Sequence, residues 1–182
     1  RGVNLKEVIV PDTVVTIGDF AFSTSTLKIL SLGMRVKNMN RSAFLAASCE
    51  IYINENNPFF KFVGDVLYDM GEMSVVAYFG SEEKDSFVIM DGTKSVGPFA
   101  FQDAKIDKVY LPDTVECLGK YAFNACTMRF LDTSHVKRME SDCLEECSNL
   151  QNICLGELSY LETSIGDAIG AKNVKNVYIK NS

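Results

Sequence analysis

The side chains with the most chemistry in this chain are one histidine, six cysteines and a recurring aspartate. His135 stands in the turn-like triplet Thr133-Ser134-His135. The sequence has no nucleophile elbow, no H-E-x-x-H and no phosphate-cradling glycine loop to give it catalytic company. Cys49, Cys117, Cys126, Cys143, Cys147 and Cys154 contain no C-x-x-C pair. The nearest spacing is Cys143-x3-Cys147, with no histidine beside it, so a zinc site of the usual ligand number is not expected. The thiols read as small core hydrophobes. Asp12, Asp91 and Asp113 recur in one column, but they stand one per repeat and offer no cluster of six to eight calcium-binding oxygens. Turn chemistry accounts for them better. Glu82-Glu83 and Glu145-Glu146 are neighbouring carboxylates of the kind found on solvated surfaces. The chain is therefore expected to be no enzyme and to carry no cofactor or metal. Asn40-Arg41-Ser42 is a glycosylation triplet that matters only in a cell secreting through an endoplasmic reticulum.

The bulk numbers fit this reading. The 182 residues carry a net charge of −6 without long charge runs, which opposes a nucleic-acid surface. No apolar run approaches the roughly 18 residues of a membrane-spanning helix, so membrane contact is expected only through segments outside residues 1–182. No charged-then-apolar leader opens the chain. Apolar residues make up 47%, enough for one continuous core.

What positions these side chains is a repeat. Leu5 to Ser25, LKEVIVPDTVVTIGDFAFSTS, returns as Ile106 to Cys126, IDKVYLPDTVECLGKYAFNAC, and in shorter form as Phe87 to Phe101. The period is about 22 residues, the length of one leucine-rich repeat. Each copy opens with a short strand whose apolar residues alternate: Leu5/Val8/Val10, Leu27/Leu30/Leu32, Ile106/Val109/Leu111, Leu150/Ile153/Leu155 and Val174/Val177/Ile179. Met128/Leu131/Thr133 fills a sixth copy, and Ile51/Ile53 and Phe87/Ile89 supply further strands. A turn follows at Pro11, Gly33, Met90 or Pro112. Two aliphatic columns come next: Val14, Val36, Val115 and Val136, then Ile17, Met39, Val96, Leu118 and Met139. Gly18, Gly97 and Gly119 come straight after, where the backbone is expected to need either positive φ or close approach.

The copies close on a small-large pair: Ala21-Phe22, Ala43-Phe44, Ala100-Phe101 and Ala122-Phe123, decaying to Cys143-Leu144 and Ala168-Ile169. Stacked coils lie about 4.8 Å apart, so the phenylalanines should form a ladder. Cys126 and Cys147 fall in one column and should be neighbours. A disulfide between them and a column of free thiols are both open, and the free column is the expectation.

Residues 54–86 break the period. Val66-Leu67-Tyr68 and Val75-Val76-Ala77-Tyr78-Phe79 flank the turn-like Asp69-Met70-Gly71-Glu72, a β-hairpin that either projects from the coils or extends their sheet. Its aromatics Phe59, Phe60, Phe62, Tyr68, Tyr78 and Phe79 are expected to pack on the neighbouring coil, with a binding role as the alternative. Neither end of the chain has the polar face of a capping repeat, so residues 1–182 are expected to be one solenoid cut from a longer array.

The pattern I-x-I-P-x-x-V-x-x-I-G-x-x-A-F-x-x-C resembles the BspA-type leucine-rich repeats. Val109-Tyr110-Leu111-Pro112, Val115, Leu118-Gly119, Ala122-Phe123 and Cys126 match it throughout. Val8-Ile9-Val10-Pro11, Val14, Ile17-Gly18 and Ala21-Phe22 match it up to Ser25. Asn57-Pro58-Phe59-Phe60 with Gly64 and Val66-Leu67-Tyr68 is similar to an insert common in that family. The resemblance implies a right-handed solenoid with a parallel β-sheet on one face and irregular or short helical turns on the other. It also implies a surface or secreted protein of a bacterium or protozoan parasite, adhering to host or extracellular-matrix proteins or to other microbes.

In such a solenoid the outward residue of each strand lines the open sheet face. Those residues are Ile9, Ser31, Tyr52, Val88, Tyr110, Asp132, Cys154 and Tyr178. Three tyrosines and two branched aliphatics in one row suit a protein contact, although strands favour the same residues for their own sake. The row is the expected binding strip for an extracellular-matrix or cell-surface protein, with a glycan as the second ligand class. Cys154 is expected to be exposed there, as either an incidental, inert thiol or a reactive one. The competing functions are a structural or intracellular scaffold and a non-catalytic appendage of a larger enzyme.

Overall fold

The computed structural model describes residues 6–23, 26–45, 49–157, 160–161 and 172–180. Leu5, Ser25 and the pair Ala168-Ile169 lie outside them. The chain is a β-solenoid. Its first-column strands pair in parallel in two groups. β1 (Glu7–Ile9), β2 (Ile29–Leu32) and β3 (Glu50–Ile53) form one sheet. β7 (Phe87–Val88), β9 (Lys108–Tyr110), β11 (Phe130–Thr133), β13 (Asn152–Leu155) and β15 (Asn176–Ile179) form another. The alternation is as expected except at β15, where Val177 and Ile179, the expected inward residues, are exposed. Leu30, Leu32, Ile89, Val109, Leu131, Ile153 and Leu155 point inward and are buried.

The second aliphatic column also makes strands, which its single column of apolar residues did not announce. β8 (Ser95–Val96), β10 (Cys117–Leu118), β12 (Arg138–Met139) and β14 (Tyr160–Leu161) pair in parallel, with Val96, Leu118, Met139 and Leu161 in register. The other faces of the coil are turns. Among the described residues, helix is confined to a 3-10 turn at Arg41–Phe44.

The insert is a three-stranded antiparallel meander. β4 (Phe60–Val63), β5 (Val66–Asp69) and β6 (Ser74–Tyr78) extend the second sheet in the order β8-β6-β5-β4. Of the two sequence alternatives, extension is realised and projection is not. Near-continuous apolar runs signal strands covered on both faces, and β5 and β6 are. Val66, Tyr68, Val75 and Tyr78 join the core of the later coils, whereas Leu67, Val76 and Ala77 join that of the earlier ones. The meander is thus a wall between two hydrophobic cores.

The aromatic ladder runs through this wall. Phe101 stacks on Phe123 at 5.1 Å between centroids, and Tyr78 stacks on Phe101 at 5.3 Å. On the other side Phe79 stacks on Phe44 at 5.7 Å. Two consecutive meander residues therefore stand in for the missing rungs, one in each direction. Arg41 lays its guanidinium over Phe44 and Phe79.

Asn57 fastens the entry to the insert. Its Nδ2 donates to the carbonyls of Gly33 and Val36, at 2.9 and 3.0 Å, and its Oδ1 accepts from the amides of Phe59 and Phe60. Gly18 has neither positive φ nor a close neighbour, against expectation, but at Gly97 and Gly119 close approach is the operative requirement. A Cβ would lie 2.7 Å from the Val75 carbonyl oxygen at Gly97 and 2.8 Å from the Pro98 nitrogen at Gly119. The left-handed backbone falls two residues later, on Phe20, Phe99, Tyr121 and Asp142.

Candidate functional site

The short strands set the site. Because side chains alternate along a strand, one residue in two leaves the core, and parallel in-register pairing lines these residues up. Ile9, Ser31 and Tyr52 are direct partners across β1, β2 and β3. Val88 pairs with Tyr110, and Asp132, Cys154 and Tyr178 are direct partners across β11, β13 and β15. The eight predicted residues are thus brought to outward positions of first-column strands. They occupy two sheets rather than one, because β3 and β7 are not paired with each other.

The row is apolar and open. Ile9 is 70% exposed, Val88 66%, Tyr52 55%, Tyr178 51% and Tyr110 50%. A large apolar side chain left in water on a regular element is available for contact. A second outward row, not singled out from the sequence, runs beside it. It comprises Glu7, Ile29 and Glu50 on the first sheet and Lys108, Phe130, Asn152 and Asn176 on the other. The signal for it is in the sequence, since outward positions recur every second residue of a strand.

The polar members are held in place. The Tyr52 hydroxyl donates to Glu50 at 2.8 Å, and Asn176 donates to Asn152 at 2.8 Å. The Lys180 ammonium reaches Asp132 Oδ2 at 2.9 Å and Ser134 Oγ at 3.0 Å, and the Ser134 amide donates to Asp132 Oδ1 at 2.9 Å. Burial pushes the Asp132 carboxyl up, but the bonds from Ser134 and Lys180 outweigh it and hold the group below its ordinary range. Burial and the Asp132 charge push the Cys154 thiol up. A thiol so shifted is a poor nucleophile at neutral pH, which favours the inert reading of Cys154.

His135 Nε2 lies 3.0 Å from Asp113 Oδ1, with both side chains more than half exposed. A cavity of about 120 Å³ adjoins this pair between Tyr110, Pro112 and Asp132. Asp12 accepts from the Met34 amide of the next coil, a bond between coils rather than the local turn bond expected for its column. None of the six cysteines forms a disulfide. Cys126, Cys143 and Cys147 are buried, and Cys49, Cys117 and Cys154 are half-buried. Among the described residues no group of three or more His, Cys, Asp or Glu side chains could hold a metal ion, and no helix is long and apolar enough to cross a membrane.

The alternative site on the insert loses its aromatics to packing. Phe60, Tyr68 and Tyr78 are buried, and Phe59, Phe62 and Phe79 pack against the earlier core. The glycosylation triplet is also engaged. Asn40 donates to Asp19, its oxygen accepts from the Ser42 amide, and Ser42 is buried.

A sequence model described as the BspA type leucine-rich repeat region matches residues 1–62 and 73–182 in six copies. No curated protein sequence matches. Among solved structures, the chain is similar to a leucine-rich repeat protein from Eubacterium ventriosum, with 21% identity and a TM-score of 0.75 over 98% of this chain and 49% of that one. It is also similar to the pneumococcal vaccine antigen PcpA, with 17% identity and a TM-score of 0.59 over 98% and 57%. A leucine rich cell surface protein from Faecalibacterium prausnitzii matches with 15% identity and a TM-score of 0.64 over 98% and 60%. The chain thus spans about half to three fifths of the length of these proteins.

Proposed function

The chain belongs to the BspA-type leucine-rich repeat family, and from that premise we propose that it is a non-catalytic binding module of a surface or secreted protein, recognising a host or extracellular protein through the exposed sheet face. The observation that carries the reading is the row of Ile9, Tyr52, Val88, Tyr110 and Tyr178, each at least half exposed on strands whose register the coils fix. A rigid row orders many weak contacts with little further loss of conformational freedom. Tyrosine supplies both apolar area and a hydroxyl at three of these five positions. The likeness to a leucine rich cell surface protein and to a vaccine antigen is in keeping with the proposed location.

The test is binding of the chain to a panel of extracellular-matrix and cell-surface proteins, with glycans as a second arm. The reading expects saturable binding to at least one protein. Binding to glycans alone would replace the ligand class, and binding to neither would count against the adhesion reading. A second reading, an intracellular scaffold, draws support from the lack of any disulfide among the six cysteines, since extracellular chains tend to oxidise theirs. Fractionation of the source cell separates the two: recovery in the cytosol alone favours the scaffold.

A further inference from the structure

The cavity beside His135 has a chemistry of its own. It lies where the chain turns off the sheet after β9, and it is backed by the β11 coil. Val115 and Val136 close its floor and both are fully buried. Leu111, Pro112 and Phe130 form apolar walls, and Tyr110, Asp113, Asp132 and His135 stand at the lining's polar edge. Its volume of about 120 Å³ equals the share of roughly four water molecules, room for one slender aliphatic side chain. Apolar walls ending in carboxylates suit a side chain that is hydrocarbon along its stem and cationic at its tip. The exposed Tyr110 ring adds a face that attracts a cation.

The chain already shows the carboxylate edge receiving an ammonium. Lys180, two coils away, lays its Nζ on Asp132, and His135 rests on Asp113. Lys180, Asp132, His135 and Asp113 are all at least two-fifths exposed, so their pairings are of the weak, exchangeable surface kind.

We propose that the cavity between β9 and β11 is an anchor pocket for a lysine side chain of the protein partner, its stem against Leu111, Pro112 and Phe130 and its ammonium between Asp113 and Asp132. The pocket rests on the sheet-face reading, because Tyr110 and Asp132 belong to both. The partner would present an exposed lysine to this end of the row, and an acidic partner surface would be repelled.

The test uses two probes that differ only at the tip, Nα-acetyl-lysine methylamide and Nα-acetyl-norleucine methylamide, titrated into the isotope-labelled chain and followed by NMR. The lysine probe is expected to shift the resonances of Tyr110, Asp132 and His135 saturably in the millimolar range, with the norleucine probe weaker by about tenfold or more. Asp113→Asn should weaken the lysine probe by roughly fivefold, as loss of one exposed ion pair does. Lys180→Gln should tighten it, because a competing ammonium is gone. Equal binding of the two probes, an unaffected Asp113→Asn variant, or no saturable shift would overturn the pocket. If a protein ligand loses binding when the tyrosines are removed but binds Asp113→Asn unchanged, the pocket fails and the sheet-face reading stands. If the lysine probe behaves as expected but no protein binds, the cavity is a lysine-binding site, and its role as an anchor for a protein partner is overturned together with the sheet-face reading.

Discussion

At the scale of single residues, Asn57 and the core thiols show where the fold is most easily broken. The Asn57 amide meets two carbonyls and two backbone amides in a buried place. Asn57→Ala strands all four and should cost about 2–4 kcal/mol in a urea titration, since each orphaned buried group carries a penalty of about 1 kcal/mol or more. Asn57→Asp should not restore stability, because it keeps the acceptor and loses both donors. Phe123→Ala removes a fully buried rung stacked on Phe101 and should cost about 3–5 kcal/mol.

The buried thiols make an alkaline prediction. Burial raises Cys126 from 9.0 to about 11 and Cys147 to about 12, and it raises Cys143 as well. The folded state then holds protons that the unfolded chain releases. The thiols' contribution to stability is constant well below pH 9 and falls above it, by up to about 1.4 kcal/mol per pH unit for each thiol. Urea midpoints measured from pH 8 to 11 should decline, and Cys147→Ala should flatten the decline. A midpoint flat across that range would contradict the burial of these groups.

The phenylalanine ladder was legible in the sequence, because Ala-Phe recurs at one place in each coil. The role of Asn57 was not, since one asparagine in a loop looks the same whether or not carbonyls from another coil converge on it. The left-handed backbone was also hidden. It falls on Phe99 and Tyr121, whose rings stack at 5.0 Å, while the glycines two residues earlier serve the approach of neighbouring coils.

At the scale of elements, the first-column strands could be read from alternation, down to which residue faces outward, except at β15, where Val177 and Ile179 are exposed as well. The second sheet could not, because two-residue strands such as Cys117–Leu118 and Arg138–Met139 are too short to display a period. The meander's strands were read in two cases of three, but its place as a wall depends on which core each side chain enters, which no local pattern encodes. That wall has a consequence for cooperativity. Among the described residues, β3 pairs with β2 alone, and the earlier coils meet the meander through side chains such as Phe44 on Phe79 and through the Asn57 amide. Elements with few cross-links open locally at lower free energy. Hydrogen exchange should therefore show the amides of β2 and β3 opening about tenfold or more faster than those of β11 and β13. Equal protection on both sides of the meander would mean that the two cores open as one.

At the scale of the whole molecule, the proposed binding function rests on the regularity of the stack. One coil exposes one or two outward residues per strand, too few for a specific contact, and the array multiplies them at a spacing the backbone fixes. The outward row was legible because strand period and repeat period together assign it. Its division between two sheets was not, because that follows from the three-dimensional course of residues 54–86.

The central claim is that this row is the binding face. The most direct measurement compares three forms of the chain against the tightest protein ligand found in the panel: the native chain, Tyr52→Ala/Tyr110→Ala/Tyr178→Ala, and a control altered on the outer face of the second sheet, Ser95→Glu/Arg138→Glu. The exposed tyrosines contribute little to the core, so all three should melt within a few degrees of one another. The account predicts at least a hundredfold loss of affinity in the tyrosine variant, in line with hot-spot side chains worth about 1 kcal/mol or more each, and native affinity in the control. Undiminished binding by the tyrosine variant, with loss in the control, would contradict it and move the binding face to the second sheet.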